Sequence, residues 1–304
     1  MAKNSDTMAE PIASDEQVEA PAKYSEFRRV LRVFFGRKIA VLGLAIIVIL
    51  ILTAIFAPWL SPFDPDKTYL RDKLLAPSTQ HLLGTDSLGR DTFSRVVFGT
   101  RTSLIIGIGS VGMSSVIGIV LGLTAGYFGG WTYTIIMRFT DALMATPMII
   151  NALLISSLLG GGVKNVIIAL GIGGISGQCR IMCGQVLTVK QNDYVLAGRA
   201  FGASDLRMMV QQILPNAFPP LLVVITIGLG VVILAEAGLS FLGIGVLPPT
   251  PAWGSMVNDG YKYLLTSPIL SFAPGVAIML VVFGFNMMGD GLRDALDPRL
   301  RGVF

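Results

Sequence analysis

Apolar residues in this chain come in long blocks separated by polar stretches, rather than at the alternating spacing of a half-buried strand. The blocks run over Ile39–Leu60, Leu104–Ala125, Ile135–Leu159, Val163–Leu187, Leu221–Gly243 and Phe272–Gly289. Each is close to the roughly 20 residues that a helix needs to cross hydrocarbon. The pattern predicts an all-α integral membrane protein of about six transmembrane helices. The first block has no small-residue cleavage site at its end, so it reads as a retained helix rather than a removed signal. Residues 1–27 are polar and aperiodic and read as a disordered tail. The chain then divides into a basic segment with the first span over 28–60, a polar loop over 61–100, and a core over 101–304 interrupted by a polar loop at 188–216.

Composition agrees with the blocks. Of the 304 residues, 53% are hydrophobic and 14% charged, against about 25% charged in a soluble domain. The formal charge of +4 belongs to basic residues beside the spans, such as Arg28, Arg29, Arg32, Arg37 and Lys38. They point to a cytoplasmic N-terminus and not to a nucleic-acid surface. Alternation then places 188–216 and the C-terminal tail inside, with Arg199, Arg207, Arg293, Arg299 and Arg301, and places Ser61–Thr100 and Leu247–Ser271 outside. The outer loop carries Lys67, Arg71, Lys73, Arg90, Arg95 and Arg101, partly offset by Asp64, Asp66, Asp72, Asp86 and Asp91.

Several patterns invite chemistry and do not support it. Gly107, Gly109 and Gly112 spell GxGxxG, but inside a span, with no preceding strand and no acidic residue for a ribose. Gly118, Gly122 and Gly126, and likewise Gly173 and Gly177, recur every fourth residue and predict close helix packing. Cys179 and Cys183 share a helix face, and the only histidine, His81, lies far away in a loop, so packing is expected and no metal site. No GxxxxGK[ST] loop occurs; Gly160-Gly161-Gly162-Val163-Lys164-Asn165 lacks the hydroxyl that meets magnesium. Any ATP hydrolysis therefore belongs to another chain.

The most informative stretch is Asp193-Tyr194-Val195-Leu196-Ala197-Gly198-Arg199-Ala200-Phe201-Gly202-Ala203-Ser204-Asp205-Leu206-Arg207, continuing to Leu214-Pro215-Asn216. It reads as two short amphipathic helices broken at Gly202, with Ser204 capping the second and Asp205 at its positive end. From pattern alone, an interfacial helix lying on lipid is the competing account. The stretch resembles the EAA loop of importer permeases of the ATP-binding-cassette class. Aligned on Gly202, the Glu-Ala-Ala positions hold Leu196, Ala197 and Gly198, so no acidic residue stands there. Three more segments are similar to the C-type permeases of that class's peptide and nickel branch. They are His81–Arg95, with a GTDxxGRDxxSR pattern; Ala235–Gly243 followed by Pro248–Gly254; and Gly289–Arg301.

The resemblance covers nearly everything after Arg28 and implies a type I importer (MetI-like) bundle in the plasma (inner) membrane of a bacterium or archaeon. It implies a homologous second permease, two ATPase subunits that carry ATP and Mg, and an external solute-binding protein. It assigns no catalytic residue or cofactor to this chain. It implies a peptide or similar small solute and leaves open which, among dipeptides, longer peptides, glutathione, nickel chelates and sugars. The coupling role would fall to Tyr194, Ala197, Arg199, Phe201, Gly202, Ala203, Ser204, Asp205, Leu206, Arg207 and Pro215.

Charged residues outside that loop raise separate expectations. Asp86, Arg90, Asp91 and Arg95 read as a self-paired structural brace, with solute contact as the alternative. Glu236 lies within a span, where a carboxylate costs on the order of 2.5–3.5 kcal/mol. It is expected either on the translocation path or in a helix-to-helix hydrogen bond. Arg138 and Asp141 are spaced to pair with each other and are expected to anchor the third span at the cytoplasmic interface. Asp290, Arg293 and Asp294, with Asp297 and Arg299, are expected to cluster and brace the coupling loop. An ion-coupled secondary transporter is the rival function, weakened because no inverted repeat is visible. An intramembrane enzyme finds no nucleophile–base pair in the spans.

Overall fold

The structure, a computed structural model, describes residues 23–296. Residues 1–22 of the tail read at 1–27, and Asp297, Arg299 and Arg301, lie outside the described residues. Basic and apolar residues alternate at helical spacing from Lys23, and the end of the expected tail is already helical: α1 spans Lys23–Gly36. It turns at Arg37 into α2, Lys38–Ile55. The first apolar block is broken at Phe56, and its last residues form the short α3, Ala57–Leu60.

The second block begins earlier than hydropathy indicates. Helix α4 runs unbroken over Thr92–Phe128, 37 residues, so the end of the polar loop read at 61–100 and the span are one element of roughly 55 Å. The third block is not a straight span. Helices α5, Gly130–Met144, and α6, Met148–Leu159, meet at 86°. Pro147 lacks an N–H and disfavours helical angles at Thr146. The Asn151 amide donates to the Leu143 and Thr146 carbonyls at 2.9 and 3.4 Å, satisfying acceptors freed by the break.

Helix α7 covers Val163–Val189. The polar loop holds α8, Asp193–Ala200, and α9, Asp205–Arg207. A π-helical turn at Met208–Ile213 and α10, Leu214–Ala217, follow. Helix α11 spans Pro219–Phe241, α12 Trp253–Tyr261 and α13 Ile269–Leu296. Among the described residues five helices are long and apolar enough to cross a membrane, or six if the bent α5–α6 pair counts as one span.

Lipid supplies no hydrophobic drive between helices, so closeness of approach governs packing. The stripe Gly118, Gly122, Gly126 on α4 lies directly against α7. A Cβ on Gly118 or Gly126 would stand 2.6 Å from Gln178 Cβ and 2.8 Å from Val186 Cβ, and one on Gly122 would run into the Cys179 carbonyl. Cys179 and Cys183 are both buried in that seam as free thiols. Gly173 touches Met148, but Gly177 has nothing near its Cβ position, so the second expected stripe is not a packing seam throughout. On the far side of α4, Trp253 of α12 is buried against Gly99, and its indole N–H donates to the Val96 carbonyl at 3.0 Å. Helix α13 closes the bundle against α2, α11 and α12.

Candidate functional site

The loop at 193–217 is built from its glycine outward. Gly202 has φ +76°, a left-handed angle that any other residue adopts only with strain, and the chain reverses there between α8 and α9. Pro215 removes one helical N–H, and the wider π-helical turn immediately before it takes up the mismatch. Behind the turn, Val195, Met208, Met209 and Ile213 are buried against Leu123, Tyr127, Met182 and Val186 of α4 and α7. In front of it, Phe201 is 90% exposed and Leu206 71%, and Tyr194 and Leu196 are exposed beside them. Two short helices thus present apolar side chains outward from a firmly seated base.

Ser204 occupies the cap position of α9 but makes no side-chain cap bond, contrary to the expected capping. Asp205 is held instead by Tyr127, whose hydroxyl donates to Asp205 Oδ1 at 2.6 Å across 78 residues of sequence. The Arg199 guanidinium lies 4.8 Å from the Tyr127 ring centre and the Lys190 ammonium 5.6 Å, the geometry of cation–π attraction. Lys190 also donates to the Tyr127 carbonyl. Burial lowers the Lys190 pKa from its ordinary value, and Arg199 adds to the shift. Tyr127, in the last turn of α4, therefore ties the loop to the bundle. Nothing in the sequence pattern singled it out, because its partners are remote in the chain.

At the other end of the bundle, Asp86, Arg90, Asp91 and Arg95 do come together. Gly89, at φ +76° and pressed on the Tyr69 backbone, closes a tight turn. Asp86 Oδ1 accepts from the Leu88 and Arg90 amides at 2.8 and 2.9 Å, and its Oδ2 takes Arg90 Nε at 2.6 Å. Arg95 Nε stands 3.8 Å from the same Oδ2, and Arg95 Nη1 donates to the Pro65 carbonyl at 2.8 Å. Asp91 caps α4 through Ser94, accepting from its amide at 2.8 Å and its hydroxyl at 2.7 Å, while Asp91 Oδ1 lies 2.9 Å from His81 Nδ1. His81, set aside in the sequence as an isolated loop residue, is buried in this network and stacks on Phe63.

Glu236 has no exposed surface. It accepts from Ser240 Oγ at 2.7 Å on its own helix and from Ser103 Oγ of α4 at 3.5 Å, so it joins α4 to α11 and lines no open face of this chain. Asp141 pairs with Arg180 of α7, not with Arg138. Asp294 pairs with Arg37 at 2.5 Å, where α13 meets α1 and α2. Asp290 and Arg293 line the same crevice at Arg37–Ala40, so the described members of this C-terminal group lie against the first helices rather than the loop at 193–217.

The comparisons with known proteins fit this architecture. Residues 118–302 match the family described as the binding-protein-dependent transport system inner membrane component, and residues 25–77 match the N-terminal TM domain of oligopeptide transport permease C. The chain belongs to this permease family. The permease is 40% identical over 292 residues to the glutathione transport system permease protein GsiD of Pectobacterium atrosepticum, covering 96% of this chain and 95% of the relative. It is 38% identical over 298 residues to the dipeptide transport system permease protein DppC of Alkalihalophilus pseudofirmus, covering 96% and 98%. An inward-facing structure of the MetNI methionine ABC transporter has a similar fold. Its TM-score is 0.56 at 20% identity, over 67% of this chain and 98% of that one. The protein is thus a multi-pass membrane permease subunit of an ABC importer. None of these relatives is an ion-coupled transporter, and nothing in the fold favours that rival.

Proposed function

We propose that the permease forms, with a homologous second permease, the translocation path of an importer for peptide-like solutes, and that the loop at 193–217 receives the ATPase subunits. The observation that carries this reading is the exposed pair Phe201 and Leu206 held on a buried base. Apolar side chains so presented are anchors for a partner's pocket. An interfacial helix on lipid is the weaker reading, because Gly202 folds the two segments back into a compact protrusion rather than one flat face. With the ATPases at this end, the N-terminus is cytoplasmic and the Asp86–Arg95 network faces outward, towards the binding protein. Glutathione and dipeptide transport by the relatives supports the solute class. Catalysis, ATP and Mg reside on the ATPase subunits, and ATPase closure acts through Tyr127 and Asp205 on α4.

The test is co-purification of the tagged permease from its native membrane in mild detergent, wild type against Phe201→Asp, with an ATPase assay on each. Phe201 is solvent-exposed, so the variant leaves the bundle intact. Loss of the ATPase subunits with retention of the second permease is the expected result. Undiminished recovery of ATPase subunits and activity would refute the docking role.

A further inference from the structure

Helix α7 has two unlike faces. Cys179, Met182, Cys183 and Val186 are buried against α4, whereas Gly177, Arg180, Gly184 and Leu187, spaced along the opposite side, are exposed. Nothing lies within 4 Å of a Cβ at Gly177 or Gly184, so this face is open. Beside it, between α5 and α7, is a cleft of about 500 Å³ lined by Tyr133, Met137, Arg138, Asp141, Arg180 and Gly184 among others. That size falls within the roughly 300–1,000 Å³ of small-molecule sites.

The cleft lies partway along both helices and is charged. Arg180 precedes the end of α7 by nine residues and Asp141 follows the start of α5 by eleven, which puts both roughly 14–17 Å along their helices and, with those ends at the cytoplasmic boundary proposed above, near the middle of a ~30 Å hydrocarbon layer. Arg180 Nη2 donates to Asp141 Oδ1, yet their side chains remain 47% and 43% exposed. Half-exposed charges at that depth belong on a water-filled path and not against lipid. The broken α5–α6 span beside them supports the same placement, because irregular backbone at membrane depth is tolerated where it lines a cavity.

We propose that this cleft is a subsite for the carboxylate of the travelling solute, with Arg180 as the binding group and Asp141 as the residue that aims it; the assignment rests on the peptide-importer reading above. Arg138 and Arg180 against Asp141 leave the cleft one positive charge in excess. A guanidinium has five N–H donors, and Asp141 engages only some of them, so a second carboxylate can be taken in the paired geometry that arginine favours. A dipeptide's C-terminal carboxylate, or either carboxylate of glutathione, has the matching chemistry.

The experiment uses the complete transporter in proteoliposomes: this permease, its second permease, the ATPases and saturating binding protein. Uptake rates of glycyl-leucine and glutathione are compared with those of their amidated forms for wild type, Arg180→Gln, Arg180→Lys and Asp141→Asn. The binding protein's own preference is common to all variants, so a change in the acid-to-amide ratio reports on this chain. Arg180→Gln should slow the free acids about tenfold and the amides less than about twofold, with Arg180→Lys intermediate and Asp141→Asn shifting the ratio in the same direction. Equal loss for acids and amides would overturn the proposal, assigning Arg180 to packing or to a counter-charge on the second permease. An unchanged ratio would also overturn it. If wild type imports neither peptide, the peptide reading itself fails and the subsite falls with it. A further readout is independent of solute: in a Cys179→Ser/Cys183→Ser background, Asp141→Cys should react with a water-soluble methanethiosulfonate, and an inert thiol would remove the aqueous cleft.

Discussion

The turn at Gly84–Arg95 and the loop at Asp193–Pro215 look alike as sequence, both dense in charge and punctuated by glycine, and the fold treats them in opposite ways. In the turn every named charge is turned inward. Arg90, Asp91 and Arg95 are buried and bonded to Asp86, to His81, to Ser94 or to backbone carbonyls. In the loop the apolar residues Phe201 and Leu206 are turned outward, and its one strong polar bond leads back into the bundle through Tyr127. A region that satisfies itself is a brace. A region that exposes what it would ordinarily hide awaits a partner.

If that contrast is right, the largest effect should come from the turn. Asp86→Ala removes the carboxylate that faces two buried guanidinium groups and should destabilise the protein by about 3–5 kcal/mol, read as a lower unfolding temperature in detergent. A loss under about 1 kcal/mol would erase the distinction. Next, Gly122→Leu would force α4 away from the α7 backbone at Cys179, with an expected cost of about 1–3 kcal/mol from overpacking and a weaker seam detected by faster proteolysis. Tyr127→Phe deletes one hydrogen bond to a carboxylate, about 1.5–3 kcal/mol at most and less where water replaces it. Its sharper signature is reduced coupling: ATPase turnover should continue while uptake per ATP falls. Smallest in stability is Phe201→Ala, expected within about 0.5 kcal/mol of wild type because the side chain is exposed, yet it should release ATPase subunits on purification. A strongly destabilised Phe201→Ala would show that the loop, too, is a brace.

The spans were legible because hydrocarbon imposes a length and an apolar composition that a single sequence records. The positive angle at Gly202 was legible as well, since few residues serve at such a turn. What the sequence concealed were pairings between distant segments. Tyr127 with Asp205, Asp141 with Arg180, Arg37 with Asp294 and His81 with Asp91 each need the folded bundle to meet. The local spacing rule favoured Arg138 for Asp141, and tertiary geometry overrode it. The break at Pro147 was hidden by the apolar residues on either side, which keep hydropathy high through a right-angled bend.

Helix α4 starts at the cap formed by Asp91 and ends at the tyrosine that holds the loop. Its tightest grip on a neighbour is at Gly118–Gly126, close to the loop end. With Gly122 as the pivot, six residues lie on one arm and thirty on the other, or ~9 Å against ~45 Å. An unbroken rod held so far from its centre is an unequal lever: a shift of ~1 Å at Tyr127, ~7.5 Å from the pivot, would correspond to ~6 Å at Thr92. In this chain, the relative length of those two arms is written into where three glycines fall.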